Sequence, residues 1–253
     1  MAIAVEHPWL VGIVLNSVLF GGSYLLPKRL LTLAGSVHAW ALGVLVWGTL
    51  GWRGYAVVMF YFLVGSLVTR VGFDRKAAAG IAEKRSGARG PENVWGSAAI
   101  AALCALGVAA IAIVAPESPW RGYLVLGYVA SFCTKLSDTC ASEIGKAYGR
   151  RTFSIISLQP VPAGTEGAVS LEGTFAGLVG AIAQGLVALA VGLLTPLGVV
   201  WCAIAATVAT TAESILGATV QDRYGWLTNE LMNVINTAIG AAVAIAIVQV
   251  LPP

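Results

Sequence analysis

The stretch Lys135–Gly149, KLSDTCASEIGKAYG, sets Lys135, Asp138, Glu143 and Lys146 inside a segment that otherwise reads as a membrane-spanning helix. At bilayer depth an ionisable side chain costs roughly 2.5–3.5 kcal/mol on insertion scales, so such groups face a cavity, a partner or a bound ion. The rest of the chain places this segment in a bilayer. Of 253 residues, 58% are hydrophobic and 11% charged, and 30 are glycine, a balance that excludes an ordinary soluble domain.

A hydrocarbon core of about 30 Å takes roughly 20 helical residues to cross. Runs of about that kind fall at Trp9–Leu26, Val37–Gly51, Tyr55–Val71, Val94–Ala115, Tyr123–Tyr148, Thr174–Leu194, Leu197–Ala218 and Thr228–Leu251, the second being short. The expected fold is all-α: a polytopic transmembrane helix bundle of about eight spans, forming one integral membrane domain over residues 1–253. The first run resembles a signal peptide only superficially, because Glu6 and His7 precede it without a basic n-region. No Arg- and Ser-rich transit segment precedes it either, so the chain reads as inserted without organelle import, or as a processed form. Cys104, Cys133, Cys140 and Cys202 lie in apolar spans without metal-type spacing and read as packing residues.

Lys and Arg near helix ends accumulate on the cytoplasmic side. The connections after spans one, three, five and seven carry Lys28, Arg29, Arg70, Arg75, Lys76, Lys84, Arg85, Arg89, Lys146, Arg150, Arg151 and Arg223, whereas the opposite side has Arg53 and Arg121. Both termini are therefore expected outside. The net charge of +3 is modest, and nothing points to nucleic acid. Topology alone accounts for a basic cytoplasmic face, and anion binding accounts for it equally.

Two cytoplasmic loops exceed what a connection needs. Residues 72–93, GFDRKAAAGIAEKRSGARGPEN, have helical composition and a basic flank from Arg75 to Arg85, before SGARGP breaks the pattern, so one short amphipathic helix at the membrane surface is expected. Residues 150–173, RRTFSIISLQPVPAGTEGAVSLEG, allow a short extended segment at Phe153–Leu158; Pro160 and Pro162 then exclude helix, and Gly164–Gly167 makes a turn. The chain re-enters the membrane through Ser170, Glu172, Gly173 and Thr174. Free N–H groups and glycines at a helix start suit a phosphate, although such a start also serves simply as a cap.

Within span five, Asp138, Ser142, Gly145 and Gly149 share one helix face. Glu143, five positions after Asp138, lies about 140° further round, so the two carboxylates reach one site only where the helix bends or ends. A further acid, Glu213, sits in span seven and can meet Asp138 across the bundle. Interhelical ion pairs would explain these groups. So would a metal-bound polyanion, since hard oxygen ligands suit Mg²⁺, which commonly links a few carboxylates to substrate phosphates. Lys76, Lys84, Arg89, Lys146 and Arg150 are available for the remaining positive charge. There is no GxxxxGK[ST] loop and no protein-kinase signature, so nucleotide use would need another architecture.

Taken in order, TRVGFDRKAAAGIAEKRSGARGPENVWG, SDTCASEIGKAYG, GTEGAVSLEGTFAG and AESILGA resemble the integral-membrane family that includes the phytyl-phosphate kinase of tocopherol synthesis. The likeness extends more distantly to the CTP-dependent phytol and dolichol kinases, and it covers the chain from span two onward. The resemblance implies transfer of a γ-phosphoryl group from CTP or another nucleoside triphosphate, with Mg²⁺, to phytyl phosphate, giving phytyl diphosphate.

The positions matching these motifs are Asp138, Ser142 and Glu143; Gly164, Thr165, Ser170, Glu172, Gly173 and Thr174; Lys76, Glu83, Arg89 and Asn93; and Glu213. On that basis Asp138, Lys76 and Arg89 are expected to be catalytic, and Asp138, Glu143, Glu172 and Glu213 to hold metal. Nucleotide and substrate phosphates are expected at Lys84, Asn93, Ser142, Lys146, Arg150, Gly164, Thr165, Ser170, Gly173 and Thr174. The phytyl tail would lie among apolar surfaces, with an opening between Gly- and Ala-rich helices such as Gly173–Gly192 able to admit it, although helix packing alone accounts for most of those glycines. The implied location is a prokaryotic plasma or thylakoid membrane, or a plastid membrane, with the site on the cytoplasmic side. A kinase acting on phytol or another polyprenol or polyprenyl phosphate is the nearest alternative. A secondary transporter would also carry intramembrane acids, but no internal repeat supports it.

Overall fold

The computed structural model describes residues 7–23, 30–221 and 224–251. Leu26, which ends the first expected span, and Lys28, Arg29 and Arg223 of the basic set lie outside the described residues. The helices are α1 (Pro8–Ser23), α2 (Leu33–Arg70), α3 (Phe73–Ala78), α4 (Pro91–Val114), α5 (Trp120–Tyr148), α6 (Leu171–Ala190), α7 (Pro196–Thr219) and α8 (Asn229–Val250). Among the described residues five helices, α2, α4, α6, α7 and α8, are long and apolar enough to cross a membrane.

α2 is two spans in one element. Gly51 stands at φ 64° and ψ −160°, outside helical geometry, and φ in this region is readily open only to glycine. A straight helix would set Gly35 and Gly65 about 45 Å apart. Both instead lie against Arg89, Gly35 at its backbone oxygen and Gly65 at its guanidinium. The chain therefore folds back at Gly51, which divides it between the two spans expected from sequence. With the shorter apolar α1 and the more polar α5, the described residues form eight helical rods.

α5 is the central rod, packed against α2, α4, α6, α7 and α8. Tyr128, Phe132 and Leu136 are fully buried along it. This placement explains its composition, since only a helix surrounded by protein can hold several ionisable groups without presenting them to lipid. Its closest neighbour is α6, where glycines allow backbone approach: a Cβ at Gly173 would stand 2.6 Å from the Ala141 oxygen, and one at Gly177 3.0 Å from that of Ser137.

Two loop expectations need revision in detail. Residues 75–85 do not form one amphipathic helix: α3 ends at Ala78, and the chain resumes as a 3-10 turn at Lys84–Gly87. The stop is a Schellman arrangement in which Ile81 N–H donates to the Lys76 carbonyl (2.9 Å) and Gly80 N–H to that of Ala77 (3.0 Å). In the second loop the extended segment is shorter and starts earlier than expected. β1 (Thr152–Ser154) pairs antiparallel with β2 (Ala168–Ser170), Thr152 opposite Ser170, and β2 leads directly into α6.

Candidate active site

The two long loops and the α7–α8 connection gather at one end of the bundle around a cavity of about 770 Å³. At the other end Arg53 approaches the turn after α6, at Gly192. The basic residues of the long loops and Arg53 are thus segregated to opposite ends, as the sequence implied.

The inner part of the cavity is built by α5, α7 and α8. Lys135 Nζ donates to Asp138 Oδ2 at 2.5 Å and to Asn233 Oδ1 at 2.7 Å. Ser142 Oγ, one turn on, donates to Asp138 Oδ1 at 3.4 Å. Across the interface Glu213 approaches Asp138 closely enough for a direct side-chain interaction, and Asn236 Nδ2 donates to its Oε2. The two acids therefore meet across the bundle. Glu143 does not join them, because α5 runs on undistorted to Tyr148; it turns to α3, where Lys76 Nζ pairs with its Oε2. Lys146 Nζ stands 4.0 Å from the other oxygen of Glu143.

The outer part comes from the loops. Arg89 is pinned through its backbone, its N–H donating to the Leu30 oxygen and its own oxygen accepting from Thr32 N–H, both at 3.0 Å. Its guanidinium donates to the Tyr61 hydroxyl at 2.8 Å. Arg85 pairs with Glu92 and donates to Asn93 Oδ1 at 3.1 Å, the oxygen that also accepts from Gly90 N–H and so caps α4. At the start of α6, Ser170 Oγ accepts from Gly173 N–H at 3.1 Å, so the cap already occupies one of the amides a phosphate would use.

Of the residues singled out from sequence, Asp138, Ser142, Glu143, Lys146, Glu83, Arg89, Asn93, Gly164, Thr165, Ser170, Gly173, Thr174 and Glu213 border this cavity. Lys76 is buried behind Glu143. Arg150 is exposed beyond the end of α5, Glu172 is half-buried in the first turn of α6, and neither borders the cavity. Lys84 lies in the 3-10 turn, and its side chain is outside the described residues. The sequence reading missed Tyr61, Glu166 and the role of Asn233. For Asn233 a signal existed in the asparagines opening α8; Tyr61 gave none.

Seven carboxyl side chains border the cavity (Glu83, Glu92, Asp138, Glu143, Glu166, Glu213, Glu230) against four cationic ones (Arg85, Arg89, Lys135, Lys146), and with Glu143 offset by Lys76 behind it the carboxyls still outnumber the cations. A bare polyphosphate would be repelled by that balance; one accompanied by a divalent cation would not. Among the described residues no group of three or more His, Cys, Asp or Glu side chains is arranged to hold a metal. Mg²⁺ keeps waters and takes one or two carboxylates plus substrate phosphates, so a site for it would need no more than two carboxyls. Asp138 and Glu213 are the pair suited to this.

No solved structure matches the chain. It is 59% identical to an uncharacterised membrane protein of Synechocystis sp. over 96% of its own length and 93% of that protein's. It is 44% identical to Protein VTE6, chloroplastic, of Arabidopsis thaliana over 87% of this chain and 66% of VTE6. An uncharacterised membrane protein of Methanocaldococcus jannaschii is 30% identical over 87% of both chains. Residues 16–241 match the family described as integral membrane protein DUF92, and with these relatives the match makes the chain a member of that integral membrane family.

Proposed function

We propose that the protein is a prenyl-phosphate kinase that transfers the γ-phosphoryl group of CTP or another nucleoside triphosphate to phytyl phosphate, giving phytyl diphosphate for tocopherol synthesis. The observation that carries this reading is the paired carboxyls Asp138 and Glu213, held with Lys135 at the inner end of a polar cavity inside a membrane bundle. The motif resemblance supplies the reaction, and the relatedness to VTE6 supports the assignment. The site is assigned to the cytoplasmic side of a plasma or thylakoid membrane, in keeping with the basic residues at that end.

Such a reaction asks for positioning and charge compensation more than for a protein nucleophile. A terminal oxygen of the acceptor phosphate attacks the γ-phosphorus; the new P–O bond forms as the bond to the β,γ-bridging oxygen breaks, and the nucleoside diphosphate departs. Asp138 and Glu213 would hold the Mg²⁺ ion, which supplies charge neutralisation to the donor phosphates. Lys135 holds Asp138 in place and offsets one of the two carboxylate charges. Arg89 and Lys146 would offer cationic groups to phosphate oxygens, while Asn93 and the amides at the start of α6 other than that of Gly173 would supply hydrogen bonds.

The test is an assay of purified protein in lipid or detergent with phytyl phosphate, phytol and geranylgeranyl phosphate, each offered CTP, UTP, ATP or GTP with Mg²⁺. Labelled phytyl diphosphate is the expected product. Phosphorylation of phytol but not of phytyl phosphate would overturn the acceptor, and transport without transfer would overturn the kinase.

A further inference from the structure

A second cavity, of about 430 Å³, lies between α1, the two halves of α2, and the neighbouring faces of α4 and α5. Its wall is apolar, with Leu42, Val58, Met59, Phe62 and Phe132 among the lining side chains. The buried Asn16 does not make it polar, because Nδ2 donates to the Gly12 oxygen (2.8 Å) and Oδ1 accepts from the Tyr55 hydroxyl (2.9 Å). The volume falls within the roughly 300–1,000 Å³ of ligand pockets. Four residues, Tyr61, Arg89, Asn93 and Ser97, border both this chamber and the polar cavity. The two spaces thus share one wall, and the cationic group on that wall is the backbone-anchored Arg89.

An apolar chamber meeting a phosphate-type cavity at a fixed guanidinium matches one ligand class: an amphiphile with a single anionic head on a single apolar chain. We infer that the chamber between α1 and α2 receives the isoprenoid tail of the acceptor, with its phosphate held at Arg89 where the two cavities meet. This rests on the prenyl-phosphate kinase reading and adds to it the tail site and the residue that marks the boundary between head and tail. It also moves the tail away from the Gly- and Ala-rich α6, whose Gly173, Gly177 and Gly180 are taken up by packing against α5 and Gly185 by packing against Val199 of α7. A phospholipid fits poorly, because two acyl chains would have to share the one chamber.

The experiment uses a phytyl phosphate analogue with a photoreactive diazirine at the far end of its chain, irradiated with the full-length protein in lipid nanodiscs. Modified peptides are mapped by mass spectrometry. Labelling is expected on α1 and α2 around Leu42, Val58 and Met59, suppressed by excess phytyl phosphate and not by excess oleate. Labelling confined to lipid-facing α6 or α7 positions such as Val179 or Val208, or labelling that oleate suppresses equally, would overturn the site. As a functional arm, Ala39→Trp fills the chamber. It is expected to raise KM for the C20 acceptor about ten-fold or more while leaving a C5 prenyl phosphate within about three-fold. Equal loss for both acceptors, or no change for the C20 acceptor, counts against the site, and the labelling result on unaltered protein stands even where this variant folds poorly. Competed labelling in the chamber without phosphoryl transfer to any acceptor would sink the kinase and keep the tail site; transfer with labelling elsewhere would do the reverse.

Discussion

The buried carboxylate of Glu143 on α5 is paired with the buried ammonium of Lys76 on α3, a residue 67 positions earlier in the chain. Lys76 Nζ also donates to the Thr69 carbonyl at 2.8 Å, at the end of α2. One side chain therefore ties the first long loop to both the helix before it and the central rod. Removing one partner of a buried pair leaves an uncompensated charge and costs about 3–5 kcal/mol, whereas replacing both by apolar groups is often near neutral. Lys76→Met and Glu143→Gln are each expected to lower thermal stability in detergent strongly, and Lys76→Met combined with Glu143→Leu to recover most of the loss. A Lys76→Met protein with wild-type stability and no turnover would instead assign Lys76 to phosphate chemistry, the role its sequence position suggested.

Asp138 and Glu213 are expected to behave as a pair. Asp138→Asn and Glu213→Gln keep shape and volume while removing one charge each, so both proteins should insert and purify normally. Turnover should fall by about 10²-fold or more, on the scale of losing one preorganised electrostatic contact in a dry site. Unchanged activity in Asp138→Asn rules it out as an essential ligand.

Chelation gives an independent check on the same pair. Activity should vanish with EDTA and return with Mg²⁺, and the Glu213→Gln variant should need a higher Mg²⁺ concentration for half-maximal rate. A variant whose residual rate follows the wild-type Mg²⁺ titration would place the ion away from Glu213.

The span positions were legible because each rests on a run of apolar residues bounded by charge or glycine; even the reversal at Gly51 shows as the gap between Gly51 and Tyr55. The inward face of each span was not. α4 and α1 are apolar nearly all round, so periodicity says little about which side meets protein, and fully buried Asn16 is a single amide in an apolar run, with nothing in the sequence to mark its partner Tyr55. The meeting of Asp138 with Glu213 was legible from the cost of two unpartnered acids in apolar helices. Lys76 was not, since its burial depends on where α3 docks after the Schellman stop at Gly80, a tertiary outcome that local composition does not encode. Tyr61 escaped notice because its site role comes from Arg89, 28 positions later in the chain.

α6 packs closely on the face of α5 that carries Ser137, Cys140 and Ala141, next to Asp138 in the chain. Gly177 faces the Ser137 oxygen and the Ala141 side chain, where a Cβ would meet atoms at 3.0 and 3.1 Å. Gly177→Ala is expected to destabilise by about 1–3 kcal/mol through overpacking, and Gly177→Val by more. Gly122, in the first turn of α5, has nothing within 4 Å of an added Cβ, so Gly122→Ala should be neutral or slightly stabilising through helix propensity. Equal midpoints for Gly122→Ala and Gly177→Ala in a thermal melt would show that the α5–α6 approach is not tight in solution.

The sidedness of the site can be read with single cysteines, since Cys104, Cys133, Cys140 and Cys202 are all buried and give little background. Ser157 lies exposed in the loop between β1 and β2, at the cavity end, and Glu117 lies exposed in the turn before α5, at the other end. If basic residues set the orientation, a membrane-impermeant maleimide should label Glu117→Cys in intact cells and reach Ser157→Cys only in inverted vesicles or after permeabilisation. The reverse pattern would put the cavity outside the cytoplasm. A nucleoside triphosphate donor would then have no supply there, so the labelling also bears on the kinase reading before any substrate is offered.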